Sequence, residues 1–388
     1  MEVPLLDLKA QYATIRELVK AAVDEVFESQ RFILGPQVAA LEEGVAGLCG
    51  VPYAVGLASG TDALLLSLRA IGVGHGDAVV TVPYTFFATA GVIVNLGARP
   101  LFVDIEAEGF NMHPERLAAL LERDCSYNLS TRRLVRNTSG AVVKAVVPVH
   151  LYGQCADMDT ILAVARRYEL PVVEDACQAI GAGYRGMRAG AMGDLGCFSF
   201  FPSKNLGGAG DGGMVVSRDR GLAERVRQLR NHGMQPKYFH AMVGFNSRLD
   251  ELQAAVLRVK LAHLEGWSEA RRRNAADYDA AFRAAGLLGR IRTPQTLDGR
   301  EHIFNQYVIR SQRRDELRAA LQSCGIGTEI YYPLSLHQQE CFQALGYNTA
   351  DFPRSSEAAR ESLAIPIYPE LTAEQKQYVV RSIADFYA

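Results

Sequence analysis

Between residues 54 and 217 the chain repeatedly sets a short, almost wholly apolar run beside a helical pattern, and this alternation restricts the fold more than any other feature. AVGLAS, AVVTVP, RPLFVDI, KAVVPVHLYG, LPVVEDA, LGCFSFF and GGMVVS read as strands. TDALLLSLRAIG, TFFATAGVIVNLG and DTILAVARRYE, lying among them, read as helices. Strands that are apolar at successive positions are buried on both faces. The pattern therefore predicts an α/β fold, a mostly parallel sheet covered by helices on both faces. Helical spacing also covers residues 14–30 and 37–49. A long helical pattern over 249–285 reads as a spoke to a smaller C-terminal α+β domain. That domain would hold strands at NQYVIR and TEIYY, a helix at RDELRAALQSCG and a last helix from about Thr372. The expected division is a large domain over 1–250, with its N-terminal helical segment, and a small domain over 251–388 that includes the connecting helix. The polar stretch 121–140 carries several arginines, shows no period and reads as a surface insertion.

Composition narrows the function. A formal net charge of -2 over 388 residues offers no broad basic field for nucleic acid or an anionic membrane. The opening MEVPLLDLKAQY lacks a basic segment followed by an apolar run, and no apolar stretch reaches the ~18 residues of a membrane span. Seven scattered cysteines contain no CxxC pair, which argues for reduced thiols and against disulfides or a zinc site. The expectation is a cytoplasmic protein with a small-molecule ligand or a protein partner, without metal.

Four segments carry chemistry. In SGTDALLL a strand ends and a helix begins, so the free N–H groups around Gly60, Thr61 and Asp62 favour an anion such as phosphate. An ordinary helix cap at Thr61 fits equally well. In PVVEDACQAIGA, Asp175 lies at the C-terminal end of an apolar strand, where open α/β sheets place ligands, although taken alone it reads first as a helix-capping Asp. Gln178 follows three residues later. In FSFFPSKNLGGAGDGG, Ser199 and Lys204 precede a glycine-rich run, and a lysine in surroundings that lower its pKa forms a Schiff base with a carbonyl. In VGFNSRLDELQAA, Asn246 and Arg248 stand just before a helix. Gly208, Gly210 and Gly213 match G-x-G-x-x-G, but they lead into a strand and not a helix, so a dinucleotide site is not indicated.

In this order and spacing the four segments resemble the DegT/StrS sugar aminotransferases, within fold type I of the pyridoxal 5'-phosphate (PLP) enzymes. The likeness runs from PLLDLKAQY to LAIPIYPEL. It implies a large domain with a seven-stranded, mostly parallel sheet. It implies PLP held by Lys204 through a Schiff base, with the freed lysine moving a proton, and Asp175 paired with the pyridine nitrogen. Gln178 would bond the phenolic oxygen. Thr61, Ser199 and the N–H groups of Gly60 and Asp62 would take the phosphate, and Phe86, which by sequence alone reads as a core phenylalanine, would stack on the ring. Asn246 would reach the phosphate from a second subunit, which implies a homodimer with shared sites. Tyr331, Tyr332 and Arg248 are the candidates for substrate, although many relatives have His-Tyr-Pro where this chain has Tyr331-Tyr332-Pro333. The substrate would be a nucleotide-linked keto sugar, with L-glutamate as amino donor. Relatives acting at C4 usually carry a histidine shortly before the lysine, whereas Phe201, Pro202 and Ser203 stand here. The pattern is more similar to relatives that aminate C3, with C4 as the alternative. A sugar dehydratase of the same fold would have a histidine in place of Lys204. A regulatory protein that keeps the fold without turnover is a reading of another class, against which the presence of Lys204 and Asp175 argues.

Overall fold

A computed structural model describes all 388 residues. The chain opens with a helix over Leu8–Ser29, longer than its apolar spacing suggested. The extra turns follow from Asp7, whose carboxylate accepts from Ala10 N at 2.9 Å and caps the helix. A second helix, Pro36–Cys49, starts on a proline and ends at Gly50 with φ 66°, the left-handed geometry that glycine adopts freely.

The fold is α/β, but its ladders divide into two sheets. One runs Tyr53–Leu57, Gly213–Ser217, Leu195–Ser199, Val173–Asp175, and only its last pair is parallel. The other runs Arg99–Phe102, Ala78–Thr81, Val142–Val146, Arg133–Arg136, Cys125–Asn128, parallel across its first three strands and antiparallel beyond them. Isolated parallel bridges at Val146–Val172 and Val149–Asp175 connect the two. The expected seven-stranded run is thus interrupted between the 142–146 and 173–175 strands. Pro148 and Pro171 lie there, and each lacks the N–H that a continuous ladder needs. Residues alternate between two cores. In AVVTV, Ala78, Val80 and Val82 pack on one face and Val79 on the other.

Several elements differ from their sequence reading. The 121–140 stretch is not a structureless insertion. It holds the end of a helix, Pro114–Asp124, and then a hairpin of Cys125–Asn128 with Arg133–Arg136. Leu134 is buried, and Arg132 donates from Nε to Glu169 Oε2 at 2.8 Å. The long 249–285 pattern is two helices, Glu251–Leu261 and Leu264–Ala284. TEIYY forms only an isolated bridge, Glu329–Ala364. The strand that pairs with Tyr307–Arg310 is Ser362–Ile365. A third core joins Val3 to side chains from Ala275 to Ile383. No helix is long and apolar enough to cross a membrane. All seven cysteines are free.

Candidate active site

A cleft of about 380 Å³ opens where the C-terminal ends of the 173–175 and 195–199 strands meet the start of helix Gly60–Ala70. Ser59 caps that helix, with its Oγ accepting from Asp62 N at 3.0 Å. The cap is therefore Ser59 and not Thr61, and Gly60 and Thr61 are left facing the cleft. Gly60 is required by close approach, since a Cβ there would lie 2.5 Å from Ser199 Cβ. Gly213 presses against the same turn, where a Cβ would lie 2.3 Å from the Ser59 carbonyl. The strand end and the helix start are thus locked together, with the helix's positive end turned toward the cleft.

Asp175 closes its strand and is only 5% exposed. Oδ2 accepts from Thr89 Oγ1 at 2.7 Å, and Oδ1 accepts from Cys177 N at 3.2 Å. Lys204 follows a tight turn in which its own N–H donates to the Phe201 carbonyl at 2.9 Å. Its side chain is half-buried in the cleft wall, and burial lowers its amine below the ordinary lysine value, opposed by nearby Cys177 and Asp175. Gln178 is held on both sides of its amide. Oε1 accepts from Tyr152 N at 2.8 Å, and Nε2 donates to the Tyr332 hydroxyl at 2.7 Å. One Nε2 hydrogen stays free for a ligand.

The cleft brings together Gly60, Thr61, Phe86, Asp175, Gln178, Ser199, Lys204, Tyr331 and Tyr332. Phe86 is 59% exposed on the cleft wall, whereas its apolar surroundings in the sequence suggested a core position. Tyr332 is buried, with its hydroxyl engaged by Gln178, so Tyr331 is the more open of the two tyrosines. The structure does not bring in Asp62, Asn246 or Arg248. The Asp62 carboxylate accepts from Ser247 Oγ at 2.7 Å. Asn246 is exposed and bridges Asn231, while Arg248 donates to Asn231 Oδ1 at 3.3 Å. Thr85, Thr89, Cys177, Asp211 and Gln306 were not singled out from the sequence. Thr89 meets Asp175, and the other four line the cleft. Thr85 and Thr89 stand in a stretch read only as a helix, and no spacing links them to Asp175.

The donor set suits pyridoxal phosphate. A helix start fits a phosphate, a buried carboxylate fits a pyridinium, an exposed phenylalanine fits a ring face, and a lysine of lowered pKa fits the carbonyl carbon. An α/β fold with this cleft defines a pyridoxal-phosphate-dependent aminotransferase. The chain belongs to the DegT/DnrJ/EryC1/StrS aminotransferase family, whose family model matches residues 13–384. It is therefore a sugar aminotransferase of a PLP-binding group. It is 48% identical to a pleiotropic regulatory protein of Geobacillus stearothermophilus, over 100% of this chain and 99% of that one. It is 42% identical to UDP-N-acetyl-3-dehydro-alpha-D-glucosamine 3-aminotransferase of Acidithiobacillus ferrooxidans, over 96% of this chain and 95% of that one. Among solved structures it resembles DesV of S. venezuelae in complex with a ketimine intermediate. That match has a TM-score of 0.91 and 39% identity, and it covers 99% of this chain and 98% of that one.

Proposed function

We propose that this protein transfers an amino group from L-glutamate to C3 of a nucleotide-linked keto sugar, in the cytoplasm, as a homodimer. The observation that carries the reading is the convergence of Lys204, Asp175 and the 60–61 helix start on one cleft. The 42%-identical relative named as a 3-aminotransferase supports position C3.

Pyridoxal phosphate, when bound, supplies a carbonyl for Lys204 and a ring that accepts electrons. Lys204 takes the proton from the α-carbon of the amino donor, and burial keeps its amine available as a base. Asp175 would pair with the ring nitrogen. The free Nε2 hydrogen of Gln178 donates to the phenolic oxygen. Thr61, the Gly60 N–H and Ser199 would hold the phosphate, and Phe86 would lie against the ring. Tyr331 meets the sugar. Asn246 and Arg248 act on the partner subunit's cleft, a role that suits the exposed Tyr238, Phe239 and Val243 on their loop. The large domain spans 1–250 and the small domain 251–388, closing the cleft through Gln306 and Tyr331.

The test is an absorbance spectrum of the purified protein with PLP, before and after L-glutamate. A yellow band that glutamate bleaches, and that UDP-N-acetyl-3-dehydro-glucosamine restores, is the expected result. Restoration only by 4-keto sugars would move the reaction to C4. The 48%-identical relative named as a regulatory protein favours a second reading, in which the fold is kept without turnover. A yellow band that no keto sugar alters after glutamate treatment would support it.

A further inference from the structure

We propose that Thr85 and Thr89 form a one-way hydroxyl line that aims the Asp175 carboxylate, and so sets how firmly it would hold the ring proton of a bound pyridoxal phosphate. This rests on the aminotransferase reading. Thr89 is buried in the first turn of helix Ala88–Asn95, and its Oγ1 lies 2.7 Å from Asp175 Oδ2. An ionised carboxylate has no hydrogen, so Thr89 must donate its only one. Thr85 Oγ1 lies 3.1 Å from Thr89 Oγ1. The Thr89 hydrogen is already in use, so Thr85 must be the donor in that contact. Thr85 is itself buried at the cleft wall. It therefore shows the cleft an acceptor and never a donor.

Each bond in such a line polarises the next, and the last one is made to a charge. Donors to a carboxylate favour its ionised form. With Thr89 on Oδ2 and Cys177 N on Oδ1, both oxygens of Asp175 are held by donors, which fixes the carboxylate's aim into the cleft. The titratable groups that face Asp175 are Lys204, Cys177, Cys197 and Tyr332. Burial raises both thiols and the tyrosine, which leaves them neutral, so none of the three brings a competing charge to the carboxylate. Thr89 is thus a positioning residue. A purely structural tie between helix 88–95 and strand 173–175 would change stability alone.

The experiment is a pH titration of the yellow band formed by PLP on wild-type protein and on Thr89→Val, Thr89→Ser and Thr85→Val variants. Valine keeps the shape of threonine and removes the donor. Without the Thr89 donor, Asp175 would hold a proton on the nitrogen of a bound ring less firmly, and the nitrogen that Lys204 contributes would keep its own proton to higher pH. The band's apparent pKa is expected to rise by about one unit in Thr89→Val, the size of one lost bond to a charged group. Thr85→Val should shift it the same way by less, and Thr89→Ser should titrate with the wild type. A Thr89→Val variant that titrates with the wild type would overturn the proposal, as would equal shifts in the valine and serine variants. If Thr89→Val fails to fold or to hold PLP, Thr85→Val decides, because it keeps the Thr89–Asp175 bond. An unshifted band there would overturn the line. A wild-type protein that never turns yellow would overturn the aminotransferase reading itself, an outcome separate from the others.

Discussion

Gln178 donates from Nε2 to the Tyr332 hydroxyl at 2.7 Å, which ties the turn after the 173–175 strand to the segment before Pro333 across the cleft. Tyr84 packs edge-on to Tyr332 with ring centroids 5.3 Å apart, and its hydroxyl lies 2.9 Å from that of Tyr152. This buried aromatic wall positions the amide. Tyr332→Phe leaves a buried N–H without its acceptor, which costs about 1–2 kcal/mol. A lower unfolding temperature and weaker PLP binding are expected, read by thermal denaturation and by a PLP titration. Unchanged values for both would mean that Gln178 finds another partner.

Lys204→Ala is expected to lower transamination by at least the roughly 10²-fold that follows loss of a general base. Steady-state turnover with L-glutamate checks this, and near-wild-type rates would remove Lys204 from the mechanism.

The same lysine makes a prediction for the protein without cofactor. Burial lowers its amine in the fold, so the unfolded chain binds the extra proton more readily. Its contribution to stability is complete above the ordinary lysine value and is lost as pH falls through the lowered one. At neutral pH a neutral Lys204→Met side chain should raise the unfolding temperature of the cofactor-free protein. A fall would show that the amine has a stabilising partner.

Glu106 sits 3.9 Å from Arg300, yet burial, the larger effect, pushes its carboxyl up to about 7. Its stabilising contribution is complete below the usual glutamate value and is lost as pH rises through 7. Glu106→Gln does not titrate. Its stability relative to the wild type should improve between pH 5 and pH 8 by about 1–2 kcal/mol, after discounting for partial exposure. Denaturant unfolding at the two pH values measures this, and parallel pH profiles would refute it.

Glu251 caps the 36–49 helix from far along the chain, accepting from Gly35 N, Gln37 N and Val38 N at 2.8 Å each. Glu251→Ala leaves these donors unpaired in a buried setting and should cost about 2–4 kcal/mol. A loss below about 0.5 kcal/mol in chemical denaturation would show that solvent takes over the cap.

Shared sites in a homodimer are open to a mixing experiment. Lys204→Ala and Asn246→Ala subunits, each inactive, should regain about a quarter of wild-type activity when refolded together. Half of the dimers are then mixed, and each mixed dimer has one intact site. No recovery would place all site residues within one chain.

The apolar runs and helical spacings determined the α/β class, because burial on two faces leaves its mark on every residue of a strand. Local motifs also singled out Lys204, Asp175 and the helix start at 60–61, which the fold brings to one cleft, because a turn, a strand end and a cap are each built from neighbours in sequence. The tertiary structure decided the rest. The sheet is interrupted where two segments, one carrying Pro148 and the other Pro171, are brought side by side only by the fold. The 125–136 hairpin hid behind polar residues because one face of an edge strand is solvated. Phe86 alone reads as a core phenylalanine, and only packing turned it toward the cleft. Glu251 beneath Gly35, Thr89 against Asp175 and Tyr332 against Gln178 join positions between 86 and 216 residues apart. Hydrogen bonds over such separations leave no period in a sequence, since their partners are chosen by the fold and not by the chain.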